Sequence, residues 1–199
     1  MTVNLPVADQ DPWDETLNTV LSQVGNQWVP DDYTMAAWSM DPALCQTNGT
    51  AMASGFLHLV ALKIRKTVTV TGFAFMVATP AVTPVVGQNF IGLYDQAGTL
   101  LMSAAIDTQI AASAAAHRVA ATPTAIGPGT YRVGVLTNAA TGPIFLTSVA
   151  STVRPNLNLP LADLRVARQG AGLIALPGSA PAVNNAQASD KNIFLGLTI

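Results

Sequence analysis

The stretch Asn89-Phe90-Ile91-Gly92-Leu93-Tyr94-Asp95-Gln96-Ala97-Gly98-Thr99-Leu100-Leu101-Met102-Ser103-Ala104 decides the fold. Two runs, Asn89 to Asp95 and Thr99 to Ala104, flank Asp95-Gln96-Ala97-Gly98, whose last glycine suits the left-handed position of a hairpin loop. Upstream, Phe56 to Arg65 sets Phe56, His58, Val60, Leu62 and Ile64 against Leu57, Leu59, Ala61, Lys63 and Arg65. Thr67 to Thr79 sets Val68, Val70 and Met76 against Thr69, Phe73 and Phe75. Both have the period of two that marks a strand. Downstream, strands are expected at His117 to Ala121, at Tyr131 to Thr137 after the Gly127-Pro128-Gly129 turn, at Ile144 to Val149 and at Asn192 to Ile199. The segment Thr152 to Ser189, rich in Pro, Asn, Gly and Ala, reads as ordered loop with one strand at Leu173 to Leu176.

About eight short strands, with no helix between them to make a parallel crossover, predict a mainly β fold, an antiparallel β-sandwich of the jelly-roll kind. It occupies residues 55–199. The last strand carries Ile193, Leu195, Leu197 and Ile199 on one face and Phe194, Gly196 and Thr198 on the other. Residues 1–54 differ in character and read as an N-terminal arm. Within it, Asp11 is a good N-cap, Pro12 suits the first helical position and Asp14 and Glu15 put negative charge in the first turn. Trp13, Leu17, Val20, Leu21 and Val24 then share one face and Gly25 supplies the stop, which predicts a short helix over about 12–24. Three turns are marginal alone, so the apolar stripe is expected to dock on something.

Charge explains why a docking partner is expected. Of 199 residues only 9 are Lys or Arg and 11 Asp or Glu, 10 % charged against 50 % hydrophobic. An ordinary domain carries roughly 25 % charged residues. Such a surface is either paved with Thr, Ser, Asn, Gln, Gly and Ala or buried against other chains. The charges are also segregated. Residues 1–62 hold seven acids and no base, and the rest hold nine bases and four acids. Net charge of −2 gives no nucleic-acid footprint. The longest charge-free stretch, Thr67 to Tyr94, is broken by Thr, Pro80 and Pro84, so no membrane helix is expected. Nor is a secretion signal visible in Met1-Thr2-Val3-Asn4-Leu5-Pro6.

Catalytic chemistry needs convergent titratable groups, and the inventory is two histidines, one cysteine and one glutamate. His58 lies within an apolar strand and reads as a packed residue; His117, beside Arg118, reads as a surface one. Cys45 reads as a small hydrophobe, and it cannot make an intrachain disulfide. Asp31-Asp32 with Asp9 and Asp11 could hold calcium if folded together, but read better as solvated charges and a helix cap. Paired-carboxylate glycosidase chemistry has only Asp95, Asp107, Asp163 and Asp190 to draw on in the β domain. Asn48-Gly49-Thr50 reads as a turn. Lys63, Arg65 and Lys66, the one basic cluster, read as a rim or salt-bridge patch. No catalytic residue, metal or cofactor is expected.

From about Trp28 onward the chain resembles small structural proteins of tailed phages infecting actinobacteria, described as minor tail or fibre-like proteins. The resemblance is carried by Asp32-Tyr33-Thr34-Met35-Ala36-Ala37-Trp38-Ser39-Met40-Asp41-Pro42 and by Gly87 through Leu101. Pro128-Gly129-Thr130-Tyr131-Arg132-Val133 and Leu164-Arg165-Val166-Ala167-Arg168-Gln169-Gly170 continue it. Asn4-Leu5-Pro6 followed by Trp13, Leu17 and Asn18 is similar to the short leader of such proteins. This implies a β-sandwich in the virion, assembled in the host bacterial cytoplasm, trimeric through its β domain and with no catalytic residues. The expected assembly contacts are Trp13, Leu17, Val20, Leu21, Val24, Trp28 and Trp38, and the expected partners are sister copies and other virion proteins. The alternatives are a capsid decoration or head-fibre protein, or a carbohydrate-binding module contacting host glycan.

Overall fold

The computed structural model describes residues 28–47, 49–112, 114–148, 165–180, 187–188 and 192–199. Among them the chain forms β1 (Met35–Trp38), β2 (Leu57–Ile64), β3 (Val68–Thr79), β4 (Val82–Pro84), β5 (Phe90–Tyr94) and β6 (Leu100–Ala105). A short helix α1 (Asp107–Ala111) follows, then β7 (Ala115–Ile126), β8 (Gly129–Leu136), β9 (Ala139–Thr141), β10 (Ile144–Phe145), β11 (Val166–Gln169), β12 (Gln187–Ala188) and β13 (Leu195–Thr198). The fold is mainly β and every strand pairing is antiparallel.

The strands make two large sheets. One runs β1-β13-β3, with β10 continuing beside the end of β3 and β7 on its other side; the second runs β12-β11-β2-β8-β5-β6. Their inner faces share one core. Phe73, Phe75, Val77, Leu195 and Leu197 come from the first sheet, and Val60, Leu62, Ile64, Ile91, Leu93, Val133, Val135 and Val166 from the second. Burying each such side chain stabilises the fold by roughly 1.5–3 kcal/mol, so this layer is what holds the sandwich together.

The β2 register shows why the sequence reads as an almost unbroken apolar run. Val60, Leu62 and Ile64 face the core, while Leu57 and Leu59, on the outer face, are covered by a second cluster with Tyr94, Leu136, Ala167 and Ala180. That cluster is roofed by residues 173–180. Leu173 N–H donates to Gly55 O at 3.0 Å, Leu100 N–H to Gly178 O at 3.0 Å, and Tyr94 Oη to Pro177 O at 3.2 Å. The expected strand at Leu173 to Leu176 is therefore a covering loop, and the strands of this region are β11 and the two-residue β12 that pairs with it; β11 is the one that reaches the core. Its Val166 enters the core and its Ala167 the outer cluster, so both faces are apolar and the alternation that marks a half-buried strand is missing.

Other expectations change as well. In β3 a bulge between Val70 and Gly72 shifts the phase, so Val70 faces the core together with Phe73 and Phe75 rather than opposing them. The β domain contains a helix, α1, which buries Ile110. β7 runs well beyond His117 to Ala121 at both ends. At the C-terminus the expected alternation holds for Ile193, Leu195 and Leu197, while Ile199 is exposed. β1 falls within residues 1–54 and pairs with β13, so this part of the expected arm is built into the first sheet. The expected helix over 12–24 lies outside the described residues. The 89–104 hairpin is present, with Gly98 at φ +90° and the Asp95 carboxylate accepting the Thr99 N–H at 2.8 Å.

Candidate functional site

β11 pairs with β2 from Leu57 to Val60, and the Ala61 N–H donates to Arg165 O at 2.7 Å. Beyond that point the outward residues of β2 and its exit are Ala61, Lys63 and Arg65. They form one wall of a cleft of about 710 Å³. The remaining lining comes from Trp28, Val29 and Pro30, from Ala37, Trp38 and Ser39 of β1 and its exit, from Leu62, from Gln96 in the hairpin turn, from Thr130 and Arg132 of β8, and from Arg165.

Local chemistry fixes this geometry. Pro30–Tyr33 form a 3-10 turn, with the Asp32 carboxylate accepting the Val29 N–H at 2.8 Å and Thr34 in the left-handed region at φ 54°. Asp31 pairs with Lys66 at 2.7 Å, tying that turn to the chain just past β2. An aromatic row runs along it, with Trp28 to Tyr33 and Tyr33 to Trp38 both edge to face at 5.6 Å between ring centres. Trp28 is 63 % exposed. Across the cleft, Arg165 Nη2 donates to Ser39 O at 2.9 Å, joining the second sheet to the exit of β1.

Four cations, Lys63, Arg65, Arg132 and Arg165, line this space, and among the described lining residues there is no Asp, Glu, His or Cys. Ser39, Gln96 and Thr130 add neutral hydrogen-bonding groups. The arrangement offers planar aromatic surface, fixed positive charge and donors: the chemistry of holding an anion with an apolar ring face.

The expected assembly residues divide. Trp28 and Trp38 line the cleft, while Trp13, Leu17, Val20, Leu21 and Val24 lie outside the described residues. Lys63 and Arg65 belong to the cleft wall, and Lys66 makes the salt bridge. The candidate acids hold the fold. Asp95 closes the hairpin, Asp107 accepts from Asn89 Nδ2 at 2.7 Å and from the Gly87 N–H at 3.1 Å, and Asp31 and Asp32 pin the 3-10 turn. Asp9, Asp11, Asp163, Asp190 and Asn48 lie outside the described residues. His58 is buried in β2, and His117, half-buried rather than a surface residue, tilts against Phe75 at 5.5 Å. Cys45 is half-buried, its thiol pushed up to about 11 by burial and by Asp41.

Sequence reading missed Arg132 and Arg165 as cleft residues. Arg132 carried a signal: it alternates with Tyr131 and Val133 and pairs with Ala61, which places it on the outer face beside Lys63.

The opposite end of the sandwich is unlike this one. β4, β9 and the loop to Gln88 expose Val82, Val85 and Val86, the last at 83 %, with Ala140 and Thr141 beside them. No Lys, Arg, Asp or Glu occurs between Thr67 and Tyr94.

No protein-family model and no curated protein matches this chain.

Proposed function

We propose that the chain is a non-enzymatic virion structural protein of a tailed phage. In this reading it is a minor tail or fibre-like subunit that associates with copies of itself as a trimer through its β domain and is docked by its N-terminal arm. The observation that carries the association is the exposed apolar patch formed by Val82, Val85 and Val86. Three exposed branched side chains on one short strand and the loop after it form the kind of patch that subunits cover with one another.

Strand order supports the jelly-roll form of the sandwich. With the two- and three-residue strands β4, β9, β10 and β12 and the outer strand β11 set aside, the eight that remain stand in chain order as 1-8-3-6 in one sheet and 2-7-4-5 in the other. Two interleaved Greek keys produce that order. Sparse charge on a folded sandwich agrees with a subunit whose surface is covered in an assembly.

Light scattering after size exclusion tests the association. A trimer has about 62 kDa, three times the 20.6 kDa of one chain. Val86→Glu should then lower the mass, because it puts a charge into the covered patch without touching the core. A monomer of 20.6 kDa at every concentration would remove the self-assembly reading.

A further inference from the structure

We propose that the cleft between the Trp28–Pro30 segment, β1 and the free end of β2 binds an anionic saccharide, a sugar bearing a carboxylate or a phosphate. At about 710 Å³ the cleft lies within the range of small-molecule sites. Its cations are of the right kind. Guanidinium forks match carboxylate and phosphate oxygens, and Lys63, Arg65, Arg132 and Arg165 all come from strands of the second sheet or the residues flanking them, so an anion entering meets one concentrated wall of charge. Arg165 is oriented by its bond to Ser39 O, which reduces the ordering cost of binding. Four cations line the cleft and no acid does among the described lining residues, and of the two acids in the adjoining 3-10 turn Asp31 is paired with Lys66.

Indole surface selects among anions. Trp28, 63 % exposed and braced by Tyr33, presents a flat apolar face against which the C–H side of a pyranose ring packs, while Ser39, Gln96 and Thr130 suit its hydroxyls. A nucleic-acid strand would need a charged track leading onward. The outer face continues instead into Leu57, Leu59 and Leu136 under the 173–180 loop, and on the first sheet Arg118 is engaged by Thr34 and Tyr33 O.

The test is a titration followed by tryptophan fluorescence with four probes: trigalacturonate, glucose 6-phosphate, maltotriose and inorganic phosphate. At least one of the two acidic sugars should bind with a submillimolar Kd, and which one does assigns the carboxylate or the phosphate. Lys63→Gln with Arg65→Gln, both on exposed side chains, should weaken that binding at least about tenfold, and raised salt should weaken it further. Trp28→Ala should weaken it several-fold while circular dichroism stays unchanged. The proposal is overturned if neither acidic sugar binds below about 10 mM, if maltotriose or inorganic phosphate binds as tightly as the acidic sugars, or if the double variant binds like the parent. Oligomeric state plays no part in the outcome, so failure here and failure of the assembly reading are separate results.

Discussion

Asn89 Oδ1 accepts the backbone N–H of Asn138 at 2.7 Å, joining the start of β5 to the turn after β8. The same Asn89 side chain donates to Val85 O and to Asp107 Oδ1, each at 2.7 Å. Asn138 Nδ2 continues the network to Gln88 O at 3.1 Å and Leu173 O at 2.8 Å. Two amides thus hold the valine-bearing loop, α1 and the covering loop in one arrangement. The exposed patch at this end is displayed on a rigid base, since its backbone groups are satisfied from behind.

Asn89→Leu should be among the most destabilising single changes at this end. Asn89 is fully buried, and its loss strands the Asn138 N–H, while the Asp107 carboxylate loses one donor and keeps the Gly87 N–H. Leaving that buried donor unsatisfied costs about 2 kcal/mol, which for a domain of this size lowers Tm by roughly 4–8 °C. Differential scanning calorimetry measures it, and a shift below about 2 °C would show that the network does not hold the loop.

Gly72→Ala tests the bulge in β3. A Cβ at Gly72 would lie 2.2 Å from Val119 O, a backbone atom of β7, and 3.0 Å from Thr198 Oγ1. The Val119 carbonyl cannot swing aside, because it is main chain of a strand paired with β3. The expected loss is about 2–3 kcal/mol, as for other overpacked sites. Gly127→Ala meets no heavy atom within 4 Å and should change stability by less than about 0.5 kcal/mol. Urea unfolding of both variants decides; equal midpoints would mean that β7 is not held where the register places it.

Where one face of a strand meets the core and the other is polar or covered late, the sequence was enough. The 89–104 hairpin, β2 and β13 are such cases, and each inner residue can be read from period two. Legibility failed where a third layer intervenes. Val166 and Ala167 are both buried, so β11 shows no alternation, and Leu173 and Leu176 look strand-like because they roof Tyr94 and Leu57. The Val70/Gly72 bulge is invisible to a fixed period. At the cleft, Lys63 and Arg65 stood out as a cluster, but their partners come from 67 to 102 positions further along the chain, at Arg132 and Arg165. Only the sheet register brings them together.

If the arm docks the subunit, its apolar stripe is the contact. Trp13, Leu17, Val20, Leu21 and Val24 repeat at helical spacing in a segment with no basic residue. Leu17→Asp with Leu21→Asp places two charges in that stripe and should reduce incorporation into particles by about tenfold or more, since a few central apolar anchors carry most of an interface. Quantitative mass spectrometry of purified virions against the free chain measures it. Unchanged incorporation would assign docking to another surface.

Cys45 should react slowly and only at high pH. Burial is the larger cause of its raised pKa and the negative charge of Asp41 the smaller, and together they take it from the ordinary 9.0 to about 11. Both disfavour the thiolate, the reactive form, so at pH 8 alkylation should run about a hundredfold slower than for a free thiol. The rate should still be climbing at pH 10. Because the folded pKa lies above the unfolded one, stability from this site is complete below pH 9.0 and is lost as the pH rises through about 11. Asp41→Asn removes the smaller cause, along with the carboxylate that accepts the Ala43 N–H, and should move the alkylation profile down while leaving its midpoint above 9.0. A parent profile with its midpoint at 9.0 or lower would contradict the half-buried position of Cys45 beside Asp41.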